Sequence, residues 1–256
     1  MKRVFLTVSY DGTDFHGWQL QPGVRTVEGE LNSALLTLTG EEILVIGASR
    51  TDAGVHAKGN VAVFDTESTI PAGRFSYALN TILPEDVKVV SSKEVPEDFH
   101  PRKTNCVKTY EYRIYNDVMP DPLKRRSTWQ VPYELDTAKM KEAAALLIGT
   151  HDFAGFCSVK TQAETTVRTV TQVEIEEISE EKEILIRVKG NGFLYNMVRI
   201  IAGTLADAGS DRRSLAMIKE AVEEADRTKA GPTAPPQGLC LKEIEFNEMV
   251  KDRENE

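Results

Sequence analysis

Cysteine and histidine are scarce in this chain, and their scarcity removes several chemistries at once. Cys106, Cys157 and Cys240 are odd in number and widely spaced, which leaves neither the paired spacing of a zinc site nor an even disulfide framework. That usage favours a reducing compartment. His16, His56, His100 and His151 have no close His or Cys partners, so no metal site is expected. No Gly-x-Gly-x-x-Gly or Walker-type loop stands at a strand-to-helix junction, and no nucleophile elbow surrounds a serine. Nucleotide cofactors and serine-based catalysis therefore have no support, and no cofactor is expected. No apolar run approaches membrane-spanning length, and Asp11 interrupts the N-terminus before a long apolar core develops. The chain reads as soluble and cytoplasmic.

Acid, by contrast, is in excess. A net charge of -9 counts at first against nucleic-acid binding, because affinity for phosphates comes from Lys and Arg. The acids are segregated, however. Residues 173–183 carry six Glu against one Lys, and residues 243–256 carry six acids against two bases. Between Phe99 and Gln130 there are seven basic residues (Arg102, Lys103, Lys108, Arg113, Lys124, Arg125 and Arg126) against three acids. A basic surface is compatible with that distribution, as is a merely solvated face.

Periodicity divides the chain into two halves of similar rhythm. Arg3 to Tyr10 alternates like a strand, and Thr26 to Thr39 repeats apolar residues at Val27, Leu31, Leu35 and Leu38, a helical spacing closed by Gly40. Strands are expected over Ile43–Ala48 and Lys58–Thr66, a helix from Pro71 through Thr81, and a strand over Val87–Val95. The second half repeats the order: a strand over Cys106–Tyr115, a helix from Asp136 to Ile148, and strands over Val167–Ile178 and Ile184–Lys189. Helices over Leu194–Ala206 and Ser214–Ala225 and a strand over Leu239–Phe246 complete it. The expected fold is α+β, two ferredoxin-like (RRM-like) βαββαβ domains, 1–104 and 105–256. Each has an antiparallel sheet with helices on one side, and the active-site cleft falls between the domains.

What remains for chemistry is a carboxylate. In the loop Ala48-Ser49-Arg50-Thr51-Asp52-Ala53-Gly54-Val55-His56-Ala57, Asp52 is the only acid between Glu42 and Asp65. Asp followed by Ala-Gly is also ordinary turn chemistry. The helix from Phe193 to Leu205 is apolar around most of its circumference, with Arg199 its single charge. Arg199 lies off the stripe of Leu194, Val198, Ile201 and Leu205, where an arginine either snorkels to water or pairs with an acid, and Asp52 is the natural acid. On the strand around Lys108-Thr109-Tyr110-Glu111-Tyr112-Arg113, alternation puts Lys108, Tyr110 and Tyr112 on one face. Such a face either stacks an unstacked base or packs into a core.

Taken together these elements resemble the TruA family of tRNA pseudouridine synthases. The resemblance extends through Tyr10-Asp11-Gly12-Thr13, Gly17-Trp18-Gln19, the Asp52 loop, Asn80-Thr81-Ile82-Leu83-Pro84, Phe99-His100-Pro101-Arg102, the Tyr110 strand, Phe193 to Leu205, and Ala234-Pro235-Pro236-Gln237-Gly238-Leu239. Ser49 and Asn60 depart from the pattern, where Gly and Gln are expected. The resemblance implies an isomerase that converts uridine to pseudouridine at positions 38, 39 and 40 of the tRNA anticodon stem-loop, working as a homodimer without metal or cofactor. It implies Asp52 as the essential catalytic residue, attacking the sugar or the uracil or removing a sugar proton. Arg199 would keep Asp52 ionised, and Tyr110, with Tyr112 as rival, would stack on the uracil. Arg50 would fill the space of the displaced base or hold a phosphate. Lys103, Lys108, Arg113, Lys124, Arg125, Arg126, Lys160 and Arg168 are the candidates for phosphate contact. Two other classes fit parts of the pattern: a non-catalytic RRM-like RNA-binding protein, and an N-glycosidase that uses Asp52 to release free base.

Overall fold

The alternation at the N-terminus becomes strand β1 (Lys2–Tyr10) in the structure, a computed structural model that describes residues 1–158 and 164–247. Thr26 caps helix α1 (Val27–Thr39) by accepting from Gly29 N, and Gly40 ends it at φ 75, where a side chain is strained. Strand β2 (Ile46–Gly47) is shorter than the apolar run that begins at Ile43. The reason lies in side chains: Val45 N is taken by Asn32 Oδ1 of α1, and Arg102 Nε donates to Gly47 O. Strand β3 (His56–Thr66) follows, then a 3-10 turn over Ala72–Arg74 that delays helix α2 (Phe75–Asn80) beyond Pro71. Strand β4 (Val87–Val95) has the expected bounds.

The second half supplies β5 (Cys106–Asn116), β6 (Trp129–Val131) and α3 (Thr137–Ala145), the last capped by Asp136 through Ala138 N and Lys139 N. Strands β7 (Gly149–Asp152), β8 (Val167–Ile178) and β9 (Glu183–Gly190) come next. Helices α4 (Met197–Gly209) and α5 (Leu215–Glu223) precede β10 (Leu239–Phe246). Strands β6 and β7 were not expected. With three and four residues they carry too little alternation to register.

The architecture is mixed α+β, and the chain forms two compact units, Met1–Cys106 with Leu241–Glu256, and Val107–Cys240. The C-terminal strand, expected to complete the second half, thus belongs largely to the first. In the first unit the strand order is β4-β1-β3-β10, with β2 beside β3. Val4 and Phe64, opposed in the antiparallel β1–β3 register, turn to one face, where Phe75 of α2 meets Phe64 edge-on at 5.2 Å between ring centroids. Phe5 and Val63 turn to the other face. There Phe246 of β10 and Phe99 of the connector close a cluster with Ala48, Val61 and Val95. Its three phenylalanine rings stand 5.1 to 6.0 Å apart.

In the second unit β5 pairs with β9, β9 with β8 and β8 with β7, all antiparallel, while β6 runs parallel to β5. Helix α4 is buried on most sides because a segment of irregular chain lies directly along it. A Cβ on Gly203 would sit 1.9 Å from Pro232 O, and one on Gly231 would sit 2.5 Å from Thr204 Cα. Gly231 N donates to Thr204 Oγ1 at 2.8 Å, and that hydroxyl donates to Ile200 O at 2.7 Å. Gly203→Ala must therefore push the 230–234 segment off the helix. A loss of roughly 3 kcal/mol is expected from overpacking of this kind, measurable by urea denaturation, and an unchanged midpoint would show that the segment yields freely. Among the described residues no helix is long and apolar enough to cross a membrane.

Candidate active site

Asp52 sits on a turn whose backbone is clamped from several directions. Val55 N donates to Asp52 O at 3.1 Å, and Gly54 adopts φ 78, so the turn chemistry legible in Asp-Ala-Gly is realised. Trp18 N donates to Thr51 O at 3.0 Å, and Gly54 N donates to Phe15 O at 3.3 Å. Gly17 makes that approach possible, since at φ 87 a Cβ there would lie 2.7 Å from Thr51 O. Gly12 does the same on the far side: a Cβ would meet Val55 O at 2.1 Å, while its N donates to His56 Nδ1 at 3.0 Å. The two motifs Tyr10–Thr13 and Gly17–Gln19 are the cradle of the Asp52 loop.

Beneath the loop lies a polar knot. Asn60 is fully buried in the middle of β3, and its Nδ2 donates to Ser49 O at 3.0 Å and to the Tyr10 hydroxyl at 3.1 Å. The Tyr10 hydroxyl in turn shares a 2.7 Å hydrogen bond with Thr51 Oγ1. Buried polar groups satisfied in this way resist rearrangement, because breaking any one leaves another unpaired without water. Tyr10, Trp18, Thr51 and Asn60 were not picked out by sequence as site residues. An Asn directly before the apolar run Val61 to Phe64, within the expected strand, was the available signal. Above the knot Asp52 is half-exposed, and Arg50 is exposed.

The remaining candidates lie in the second unit. Arg199, on the first turn of α4, is fixed at two points: Nε donates to Ala234 O at 2.7 Å and Nη1 donates to Asn196 Oδ1 at 2.7 Å. It does not snorkel. Ala234 N also returns a bond to Arg199 O at 3.1 Å. Tyr112 is tied to the neighbouring peptide, its hydroxyl donating to Pro235 O at 2.8 Å, and Gly238 leaves room for the ring, with a Cβ there lying 2.7 Å from Tyr112 Cζ. Burial pushes the Tyr112 phenol well above the ordinary tyrosine range, against a smaller opposing effect of Arg199. Tyr112 is thus a wedge under the Ala234–Pro235 segment and poorly suited to proton transfer. Tyr110, two residues earlier, is 6% exposed, with its ring edge-on to Phe193 at 5.2 Å. Lys108 is half-buried at the start of the same strand, opposite Gly190 in the register.

The basic candidates differ in what surrounds them. Arg113 is engaged with Glu183 at 2.9 Å, and Lys124 with Glu181 and Glu183 at 2.7 and 2.9 Å, so both are balanced by acids of their own unit. Lys103, Arg125 and Arg126 are exposed, and Lys160 lies outside the described residues. Arg168 is different. It is half-buried, its Nη1 donates to the carbonyls of Thr165 and Val167, and burial lowers its pKa. No carboxylate pairs with it among the described residues. A partly desolvated cation held only by neutral carbonyls has unspent affinity for an anion.

A family model described as tRNA pseudouridine synthase matches residues 6–102 and 143–247, which hold the Asp52 loop, Arg168 and the Arg199 helix. The tRNA pseudouridine synthase A of Acetivibrio thermocellus is 47% identical over 246 residues, 96% of this chain and 100% of that protein. Its counterpart in Brevibacillus brevis is 46% identical over the same shares, and that of Bacillus pumilus is 45% identical over 96% of this chain and 99% of its own length. Matched over most of its length by the model and nearly end to end by these relatives, the chain belongs to the tRNA pseudouridine synthase family.

Proposed function

We propose that this chain isomerises uridine to pseudouridine in tRNA, with Asp52 as its catalytic carboxylate. The observation that carries the site assignment is the rigidity of the Asp52 loop, which the close approaches at Gly12 and Gly17, the positive φ of Gly54 and a buried Tyr10–Thr51–Asn60 knot hold in one shape. A preformed carboxylate suits a reaction in which nothing enters or leaves apart from protons. The bond from the sugar to uracil N1 breaks, the base turns, and the sugar carbon bonds to uracil C5. The proton on C5 is lost, and N1 takes one up.

In each role open to Asp52, as nucleophile toward the sugar or the uracil or as base toward a sugar proton, it must be ionised. Arg199 is assigned to keep it so. Its acceptors Ala234 O and Asn196 Oδ1 are both neutral, and neither cancels its charge. Tyr110 is assigned to the face of the uracil, and Arg50, Lys108 and Arg168 to the RNA. Reaching the sugar and base atoms requires the uridine to leave its stack, at a cost of a few kcal/mol that these contacts offset. The finer reading is of two ferredoxin-like βαββαβ domains in a cytoplasmic homodimer, modifying positions 38, 39 and 40 of the anticodon stem-loop. The deciding experiment uses unmodified tRNA labelled with tritium on uridine C5. Tritium released to water with the base retained in the RNA is expected. Release of labelled uracil would mean glycosidase activity, and binding without release would mean a non-catalytic protein.

A further inference from the structure

Asn196 precedes α4 at φ 62, in the left-handed region that residues other than glycine rarely adopt, although Asn tolerates it best. An asparagine at that position ordinarily caps the helix, but here the side chain makes no cap bond. Its amide is divided between two other partners instead. Nδ2 donates to Ser158 Oγ at 2.8 Å, and Oδ1 accepts from Arg199 Nη1 at 2.7 Å. The chain at Ser158 is itself anchored to this region, its N donating to Tyr195 O at 3.2 Å. The amide is thus gripped at both ends. With Ala234 O on Nε, it sets the direction of the guanidinium from one side, and neither acceptor brings an opposing charge.

We propose that Asn196 is a positioning residue for isomerisation: its left-handed backbone turns a neutral amide between Ser158 and Arg199, and so aims the guanidinium without neutralising it. The inference rests on the reading that Arg199 serves Asp52. Neutrality is the essential property. A carboxylate at 196 would hold Arg199 more tightly and divert its charge, whereas an amide orients it and leaves it available.

Three variants test this. Asn196→Gly keeps the left-handed backbone and removes the amide, Asn196→Asp keeps the shape and adds an anion, and Ser158→Ala removes only the second anchor. Single-turnover tritium release at saturating enzyme, tRNA affinity and melting temperature are measured on each. Asn196→Gly is expected to slow release about 10-fold, the worth of a hydrogen bond to a charged group, with affinity and melting temperature close to wild type. Asn196→Asp should be slower still at neutral pH and should move the acid limb of the pH–rate profile upward. Tyr112 of β5, a titratable group in the same unit that senses Arg199, stays protonated throughout that range. Ser158→Ala should give a smaller loss of rate in the same direction. Release rates within about twofold of wild type in both Asn196 variants, or a loss confined to affinity or melting temperature, would overturn the proposal. If Arg199→Met is impaired while the Asn196 variants are not, this inference alone fails. If Arg199→Met also behaves as wild type, the Arg199 reading fails with it.

Discussion

Asp52→Asn is expected to lower single-turnover tritium release by at least about 10³-fold while the protein folds and binds tRNA as before. The substitution is nearly isosteric, and its surroundings explain why the fold tolerates it. What fixes the turn is backbone, through Val55 N to Asp52 O and Trp18 N to Thr51 O, together with the positive φ of Gly54. Asn is as much at home in such a turn as Asp. The variant therefore removes a negative charge and a nucleophilic oxygen while keeping the size and shape of the side chain. Near-normal release would refute the catalytic assignment outright, and unchanged melting would exclude unfolding as the cause of a loss.

The second large effect is expected at Arg199. Replacement by Met should cut the rate at neutral pH by about 10²-fold and displace the acid limb of the profile upward by roughly one pH unit. The sign follows from the chemistry: a neighbouring cation favours the ionised carboxylate, so its removal raises the carboxylate pKa, and a higher pH is needed to restore the active form. Part of the loss should return at alkaline pH. Met also leaves Ala234 O without its Arg199 partner, so a stability cost of about 1–3 kcal/mol is expected alongside. That cost cannot move a pH limb. Arg199→Lys separates charge from geometry, because lysine keeps the cation and loses the fork that reaches Ala234 and Asn196 together. It should leave the acid limb near its wild-type position and still slow the reaction. A limb unmoved in Arg199→Met would remove Arg199 from the ionisation of Asp52.

Much of this was legible wherever local pattern decides the outcome. Val87–Val95, Val167–Ile178 and Leu239–Phe246 keep their expected bounds, since alternation between turn residues is nearly sufficient for a strand. Thr26, Asp136 and Ser214 each cap the helix they were read to start. Where a partner decides, pattern falls short. The run from Ile43 looks like a long strand, but Asn32 and Arg102 claim its backbone groups. Helix α4 begins after Asn196, whose backbone is left-handed and whose amide accepts from Arg199, and no apolar stripe encodes that. The helical wheel put Arg199 on a flank without revealing Ala234, a partner 35 residues away. Asn60 looked like a departure from the family pattern, and its partners show it to be a keystone of the loop.

The place of Phe246 bears on how the protein comes into being. Ribosomes deliver a chain from its N-terminus, and domains tend to fold as they emerge. The first unit cannot finish that way, because Phe5, Phe99 and Ala48, the residue that opens the Asp52 loop, share their cluster with a side chain made more than a hundred residues after the connector. Until that strand has cleared the ribosome, two phenylalanines lack their cover. The nascent enzyme therefore carries a sticky, unfinished half until β10 has emerged, and the residue that opens its Asp52 loop takes its final support only then.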